Sequence, residues 1–143
     1  MILLDTNVIS EIYRPLPNPA AMAWVNSQRR DTLYLCAPVL AELRFGVAKL
    51  VRSQRRDRLT DTIDHLQNEL YRNRILAFDA AAASEYGRVA AKRQSAGHPM
   101  GQMDAMIAAI ALIHGGALAT RNIRDFSDLG LELINPFEMP VAQ

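Results

Sequence analysis

The alternation of short apolar runs with longer stretches of helical periodicity constrains the fold of this chain most. A strand buried on both faces of a parallel sheet reads as a continuous apolar run, and each crossover to the next parallel strand usually carries a helix. The alternation therefore predicts an α/β fold of right-handed βαβ units, with helices on both faces of a parallel sheet of four to five strands. The predicted strands span residues 2–4, 32–36, 75–78 and 117–120, with 131–134 as the candidate fifth.

Helical periodicity fills the intervals between these runs. Pro38 suits the first position of a helix, Asp79 suits an N-cap, and Gly97 suits a C-terminal end. The 143 residues fit a single domain, 1–143, without a repeat or a linker. The predicted helices begin near Thr6 and Pro38 and span residues 20–27, 56–71, 79–97 and 102–114, the last of them apolar on almost every side and so buried.

Composition narrows the function classes without naming one. Sixteen Lys and Arg residues against 15 Asp and Glu residues give a net charge of +1, so bulk charge indicates neither a nucleic acid nor a membrane partner. The single cysteine, Cys36, excludes an internal disulfide and a cysteine-based zinc site. No basic segment followed by an apolar stretch opens the chain, and the longest apolar run, 105–113, is shorter than the roughly 20 residues that span a bilayer. We therefore expect a cytoplasmic protein.

Acidic and amide side chains follow the first and fourth predicted strands. Asp5 comes directly after residues 2–4, and Asn122 and Asp125 come after residues 117–120. In an open parallel sheet, ligands bind beyond the carboxyl ends of the strands, so these side chains are predicted to share one edge. Two simpler interpretations stay open, because Asp5 also suits a helix cap and an isolated Asp in a turn is often only a turn residue.

Two further carboxylates lie on predicted helices beside apolar faces. An ionised Asp104 on the buried helix is costly unless a cation or several hydrogen bonds meet it, although a first-turn position at the positive end of the helix dipole is the alternative explanation. Glu42 is one turn from Gly46, whose missing side chain leaves open space, and a half-exposed helix edge is the alternative there. The helical neighbours of Asp104 are Ile107, Ala108, Ala111 and Leu112.

Considered together, these carboxylates predict a metal site. Several carboxylates within a few ångströms cannot all stay ionised without a cation between them. With oxygen ligands, no second cysteine and no paired histidines, the site favours Mg²⁺ or Mn²⁺ over Zn²⁺. Such a site suits attack of an activated water on a phosphodiester. The predicted ligands are Asp5, Glu42, Asp104 and Asp125.

Four segments and the C-terminal stretch resemble the PIN-domain ribonucleases, specifically the VapC and FitB type toxins of bacterial toxin–antitoxin pairs. The resemblance runs from end to end of the chain and in order. The matching segments read ILLDTN at 2–7, VLAELRFG at 39–46, GHPMGQMDAMIAA at 97–109 and ATRN with DF at 119–126, followed by INPFE at 134–138.

The resemblance implies a three-layer α/β/α sandwich and a Mg²⁺-dependent endoribonuclease, with Mn²⁺ as a substitute, that leaves 5′-phosphate and 3′-hydroxyl ends on RNA. It also implies silencing by a cognate antitoxin, a homodimer and a toxin–antitoxin hetero-oligomer, with DNA bound only through the antitoxin and no membrane contact. A catalytically weak PIN-like module that acts through its antitoxin in a DNA-binding autorepressor complex is the alternative function.

Individual residues carry this resemblance with different strength. Asp5, Glu42 and Asp104 match the acidic positions of the family directly. At the fourth position relatives have an acidic residue either where this chain has Asn122 or at the place of Asp125, and we assign Asp125. The supporting residues are Thr6, Asn7, Thr120 and Asn122, with Thr120 as the hydroxyl beside the site.

Two other doubly wound folds also place a carboxylate after the first strand, and both fit poorly. A haloacid-dehalogenase-like phosphatase needs a second Asp where this chain has Asn7, and a receiver domain needs a late Lys that the last 50 residues lack.

Surface groups supply candidate contacts for the two expected partners. Residues 44–58 contain six cations and one acid, which could follow an RNA backbone or form a solvated corner. The RNA-binding candidates are Arg44, Arg121 and Arg124. The apolar candidates for an antitoxin groove or a dimer face are Ile12, Tyr13, Trp24 and Leu50, of which Trp24 is expected in the core.

Overall fold

A sheet of five parallel strands forms the centre of the computed structural model, which describes residues 1–138. The candidate fifth strand is therefore confirmed. The strands are shorter than the apolar runs, because Thr32 belongs to a 3₁₀ turn and the edge strand ends after two residues. The strands are β1 (Ile2–Leu4), β2 (Leu33–Cys36), β3 (Ile75–Leu76), β4 (Ala117–Ala119) and β5 (Leu133–Ile134).

Six α-helices connect the strands of the described region. Asn18 and Asp79 cap two of them, with side-chain oxygens that accept from the backbone N–H groups of Ala21 and Ala82 at 3.0 Å each. No helix within residues 1–138 is long and apolar enough to cross a membrane. The helices are α1 (Thr6–Ile12), α2 (Pro19–Ser27), α3 (Ala37–Ala48), α4 (Gln54–His65), α5 (Ala80–Ser95) and α6 (Gln102–Ile113).

The helix predicted over 56–71 differs most from the structure. The α-helical part begins two residues earlier, at Gln54, because the Ser53 side chain accepts from the backbone N–H of Arg56 at 3.1 Å. Its last turn, Leu66–Leu70, is a π-helix, which the i, i+4 periodicity of the sequence cannot distinguish from an α-helix. The helix predicted over 79–97 ends earlier, at Ser95, and Gly97 follows with the positive φ of 79° that suits a helix exit.

Two apolar cores lie on opposite faces of the sheet. Successive residues of a strand point to opposite faces, so Leu3 joins the core beneath α5 and α6 while Leu4 joins the core beneath α1 and α2. Trp24 is 9% exposed and packs in the second core, as expected. The predicted three-layer α/β/α sandwich is confirmed.

The order of the strands determines where a ligand can bind. From edge to edge the sheet reads β3-β2-β1-β4-β5, so the chain builds outward from β1 in one direction and then returns to build outward in the other. The direction changes between β1 and β4, and doubly wound sheets have their ligand crevice beyond the carboxyl ends of the strands at such a switch point. The junction between β1 and β4 is called the seam. The backbone N–H of Asp5 extends it beyond the strands by donating to Ala119 O at 2.9 Å.

Candidate active site

Asp5 lies at the switch point, between the end of β1 and the start of α1. Only 5% of the residue is exposed. One carboxylate oxygen, Oδ1, accepts from Thr6 N at 2.8 Å, and the other, Oδ2, accepts from Thr120 Oγ1 at 2.7 Å. Burial raises the pKa of Asp5, and these donors oppose that rise. Asp5 therefore caps the helix and also presents a carboxylate to the crevice, so the two sequence interpretations are compatible.

A small polar network joins the ends of β1 and β4 around Asp5. The amide Nδ2 of Asn7 lies 3.2 Å from Asp5 Oδ2 and 3.4 Å from Thr120 Oγ1, and Asn7 Oδ1 accepts from the backbone N–H of Arg121 at 3.2 Å. The fully buried Thr120 hydroxyl also accepts from Asn122 N at 3.0 Å. Both the donor and the acceptor capacity of Thr120 are thus used to hold the seam.

Glu42 reaches this group from α3. Its Oε1 accepts from the Thr6 hydroxyl at 3.1 Å, which connects α3 to the ILLDTN segment beside Asp5. Burial raises the pKa of Glu42, and the negative charge of Asp5 raises it further. The space beside Gly46 is open, as predicted, because a side chain added there would meet nothing within 4 Å.

Asp104 lies in the first turn of α6, whose inner residues are buried. The capping position of this helix belongs to Gly101, and no group within residues 1–138 donates a hydrogen bond to the Asp104 carboxylate. Burial raises the pKa of Asp104 to about 6, with further repulsion from Asp5, Asp125 and Glu42. Asp104 is thus a half-buried carboxylate whose charge is left uncompensated by the described part of the chain.

Asp125 lies in the 3₁₀ turn Ile123–Phe126, which follows β4. It is exposed, and it is close enough to Asp5 and Asp104 for its charge to raise the pKa of both. Asn122 precedes the turn with an exposed side chain, and its backbone N–H supports Thr120. Of the two residues considered for the fourth acidic position, Asp125 is the one that adds negative charge to the site.

The structure thus brings four carboxylates together at the crevice, from β1, α3, α6 and the turn after β4. No three acidic, histidine or cysteine side chains within residues 1–138 form a ready-made metal-binding group. Mg²⁺ keeps several of its waters and usually takes only one or two carboxylates from the protein, so it does not require such a group. The all-oxygen donors and the mutual repulsion of the acids also fit a divalent cation.

Two of the three RNA-binding candidates have partners within the chain. Arg44 bonds to Asp64 Oδ1 and to Gln67 Oε1, both at 2.7 Å. The guanidinium of Arg121 lies 3.9 Å from the centre of the Phe137 ring and 3.5 Å from a carboxylate oxygen of Glu11. Arg124 is exposed. The role of all three toward RNA stays a prediction.

Sequence reasoning missed two buried charged residues, Glu11 and Arg93. Glu11 is 6% exposed and accepts from the backbone N–H of Asn18 at 2.9 Å, in addition to its arginine partners. Arg93 is 9% exposed. A signal for both was present, since Glu11 follows buried Val8 by three residues and Arg93 follows buried Val89 by four. A charged residue on the apolar stripe of a helix is a candidate for a buried residue that holds other segments by hydrogen bonds.

Comparison with known proteins agrees with this fold. The PIN domain family model matches residues 2–131. The chain belongs to the PIN domain family. It is 42% identical to the plasmid stability protein StbB of Pseudomonas syringae pv. tomato and 40% identical to the VapC ribonuclease Y4jK of Sinorhizobium fredii, in each case over 96% of this chain and 99% of the relative.

A solved structure indicates the type of PIN protein that this chain is similar to. The structure of FitAB bound to an IR36 DNA fragment superposes with a TM-score of 0.91 at 36% identity, over 98% of both chains. Together with the VapC relative, this likeness assigns the chain to the VapC and FitB type of toxin–antitoxin proteins. The family resemblance seen in the sequence is confirmed.

Proposed function

We propose that this protein is the toxin of a toxin–antitoxin pair and acts as a Mg²⁺-dependent endoribonuclease, with Mn²⁺ as a substitute. The observation that carries the proposal is the meeting of four carboxylates at the switch point of a PIN fold, one of which, Asp104, lacks any compensating donor within residues 1–138. The name of the Y4jK relative, a VapC ribonuclease, supports RNA as the substrate.

Asp5 and Asp104 are the proposed direct metal ligands, with Glu42 and Asp125 contributing directly or through water. When bound, Mg²⁺ supplies the positive charge that activates a water and stabilises the extra charge of the phosphorane-like transition state. Thr120 and Asn7 hold Asp5 in one orientation, and Thr6 does the same for Glu42. Because the unloaded site is strongly acidic, it repels a phosphodiester, and this repulsion explains why cleavage should require the cation.

A groove beside the site is the proposed contact for the antitoxin. It is about 560 Å³, lies between α1, α3 and α4, and reaches Glu42 at the candidate active site. Tyr13 and Leu50, two of the predicted apolar contacts, line it, and arginines 14, 55 and 58 add positive charge. These features suit a partner segment with apolar and acidic side chains. In the FitAB structure the complex is bound to DNA, so DNA contact through the antitoxin is part of the proposal.

Filling the groove tests this assignment. Gly46→Trp places a ring in the open space beside Glu42, whereas Gly87→Trp makes the same change at an exposed position of α5 where space is equally open. We expect only Gly46→Trp to lose a stable complex with the cognate antitoxin. Equal binding by both variants would place the antitoxin elsewhere.

A cleavage assay tests the proposed activity. Purified protein is incubated with structured RNAs in Mg²⁺ and in EDTA, beside Asp5→Asn and an exposed control on α4, Asp61→Asn. We expect cleavage with 5′-phosphate products only in Mg²⁺, retained in Asp61→Asn and reduced by at least about 100-fold in Asp5→Asn. Undiminished cleavage in EDTA or in Asp5→Asn would contradict the proposal.

The second candidate function is a catalytically weak PIN-like module within a DNA-binding autorepressor complex. The observation that favours it is Asn122, an uncharged side chain at a position where the family resemblance implies an acid. The same assay distinguishes the two functions, because the module would leave every RNA intact while its complex with the antitoxin still bound promoter DNA.

A further inference from the structure

Arg93 is a buried cation at the C-terminal end of α5. It is 9% exposed and packs on the inner face of the helix, after Ala82 and Val89. No carboxylate within residues 1–138 forms an ion pair with it; the acids with arginine partners belong to other pairs. A buried guanidinium is costly to desolvate, so its hydrogen bonds must compensate for the lost water.

Those hydrogen bonds join two segments that approach the site from different elements. The Nε of Arg93 donates to His98 O at 2.8 Å, in the link that leads from α5 into α6. Its Nη1 donates to Asp125 O at 3.0 Å and to Ser127 O at 3.1 Å, at the end of the 3₁₀ turn. One side chain therefore ties the link before Asp104 to the backbone of Asp125 itself.

We infer that Arg93 is a positioning residue that sets the placement of Asp125 relative to Asp104 and thereby the divalent-cation affinity of the site. The part of this inference that concerns cation affinity rests on the function proposed above. The turn has one other buried anchor, Phe126, which packs in the same core as Ala105 and Ala108 of α6. The hydrogen bond from Asn122 N to Thr120 holds the start of the turn, and the two carbonyl contacts from Arg93 hold its far end, at Asp125 and Ser127.

The chemistry of the contact requires arginine. The guanidinium is a planar fork that can donate in several fixed directions at once, whereas the ammonium of lysine is a compact point charge. Carbonyls on two separate segments, at positions 98 and 125–127, match the fork. Lysine at this position keeps the charge but cannot hold both segments together.

The test compares Arg93→Lys and Arg93→Met with Arg88→Lys, a matched change on the same helix where an exposed arginine pairs with Glu85. Amide hydrogen exchange is measured on the metal-free protein over residues 98–104 and 122–128, with residues 2–12 as the internal reference. Mn²⁺ affinity is measured by calorimetry. We expect both Arg93 variants to exchange faster in the two segments alone and to bind Mn²⁺ about 10-fold more weakly, while Arg88→Lys matches the wild type.

The outcomes separate this inference from the proposed function. Wild-type exchange in Arg93→Lys, or a uniform increase along the whole chain, would overturn the positioning role. Loosened segments with unchanged Mn²⁺ affinity would overturn the link to the cation. A wild-type protein that binds no Mn²⁺ would overturn the proposed function and the cation part, and the two exchange patterns would then decide the positioning part alone.

Discussion

The two sides of the acidic site are built on opposite principles. On the side of β1 and β4, Asp5 accepts from Thr6, Thr120 and Asn7, so its geometry is held by short local hydrogen bonds. On the other side, Asp104 has no donor within residues 1–138 and is placed by the burial of α6. On the first side hydrogen bonds offset part of the cost of burying Asp5, whereas the second side holds a carboxylate without such donors, whose charge a ligand must neutralise. This contrast predicts which substitutions should lower the free energy of unfolding and which should raise it.

Adding the cation should give the largest change, because it acts on the uncompensated side. A ligand that binds only the folded state stabilises it by RT ln(1 + [L]/Kd), which is about 2.7 kcal/mol at 100-fold excess over Kd. We expect Mg²⁺ or Mn²⁺ to raise the free energy of unfolding by about this amount in urea titrations, and Ca²⁺-free EDTA buffer to remove the effect. An Asp104→Asn variant with the same metal-induced gain would show that the cation binds elsewhere.

Thr120→Val should give the next largest effect, on the pre-organised side. Valine keeps the shape of the side chain but removes the donor to Asp5 and the acceptor for Asn122, which leaves buried polar groups unsatisfied. The expected loss is about 1–3 kcal/mol in the free energy of unfolding. Thr62→Val is the control, since that hydroxyl is exposed and bonds only within α4. Equal stability of the two variants would mean that the seam does not depend on Thr120.

Asp104→Asn should stabilise the metal-free protein while it impairs metal binding. The folded-state pKa of Asp104 is about 6, above the ordinary 3.8, so folding favours the protonated form. As pH rises from 3.8 to about 6 the unfolded chain loses this proton first, and stability falls through that window and stays lower above it. Asparagine removes that loss, with an expected gain on the order of 1 kcal/mol at neutral pH after solvent screening.

Urea titrations in EDTA at several pH values check this sign. The difference in unfolding free energy between Asp104→Asn and the wild type should grow through the window and then level off. A constant difference across this pH window would mean that burial does not disfavour the charged form of Asp104. The contrast between the two sides of the site would then not hold.

The sequence could predict some residues of the site but not the hydrogen bonds that position them. Asp5 and Asp104 could be predicted because each stands where a strand end or helical periodicity makes a carboxylate unusual, whereas Asp125 is assigned through the family resemblance. The Asp5–Thr120 hydrogen bond joins residues 115 positions apart, and such a contact depends on the strand order, which periodicity does not reveal. The apolar stripe of α5 could have flagged Arg93, but its partners could not be predicted for a related reason, since they are backbone carbonyls, which carry no sequence signal.

The arginines near the site should give the smallest effect on stability and a clear effect on RNA binding. Arg124 is exposed, so Arg124→Ala should leave stability within about 0.5 kcal/mol and lower the salt slope of RNA affinity by about 0.7, the value for one lost phosphate contact on a single strand. Arg121→Ala should lower stability more, because it removes the stacking on Phe137 and one partner of buried Glu11. Filter binding to RNA at several salt concentrations, using an Asp5→Asn background to prevent cleavage, measures the slope. An unchanged slope in both variants would mean that these two arginines contribute only to the stability of the fold. RNA would then be bound by the arginines of residues 44–58.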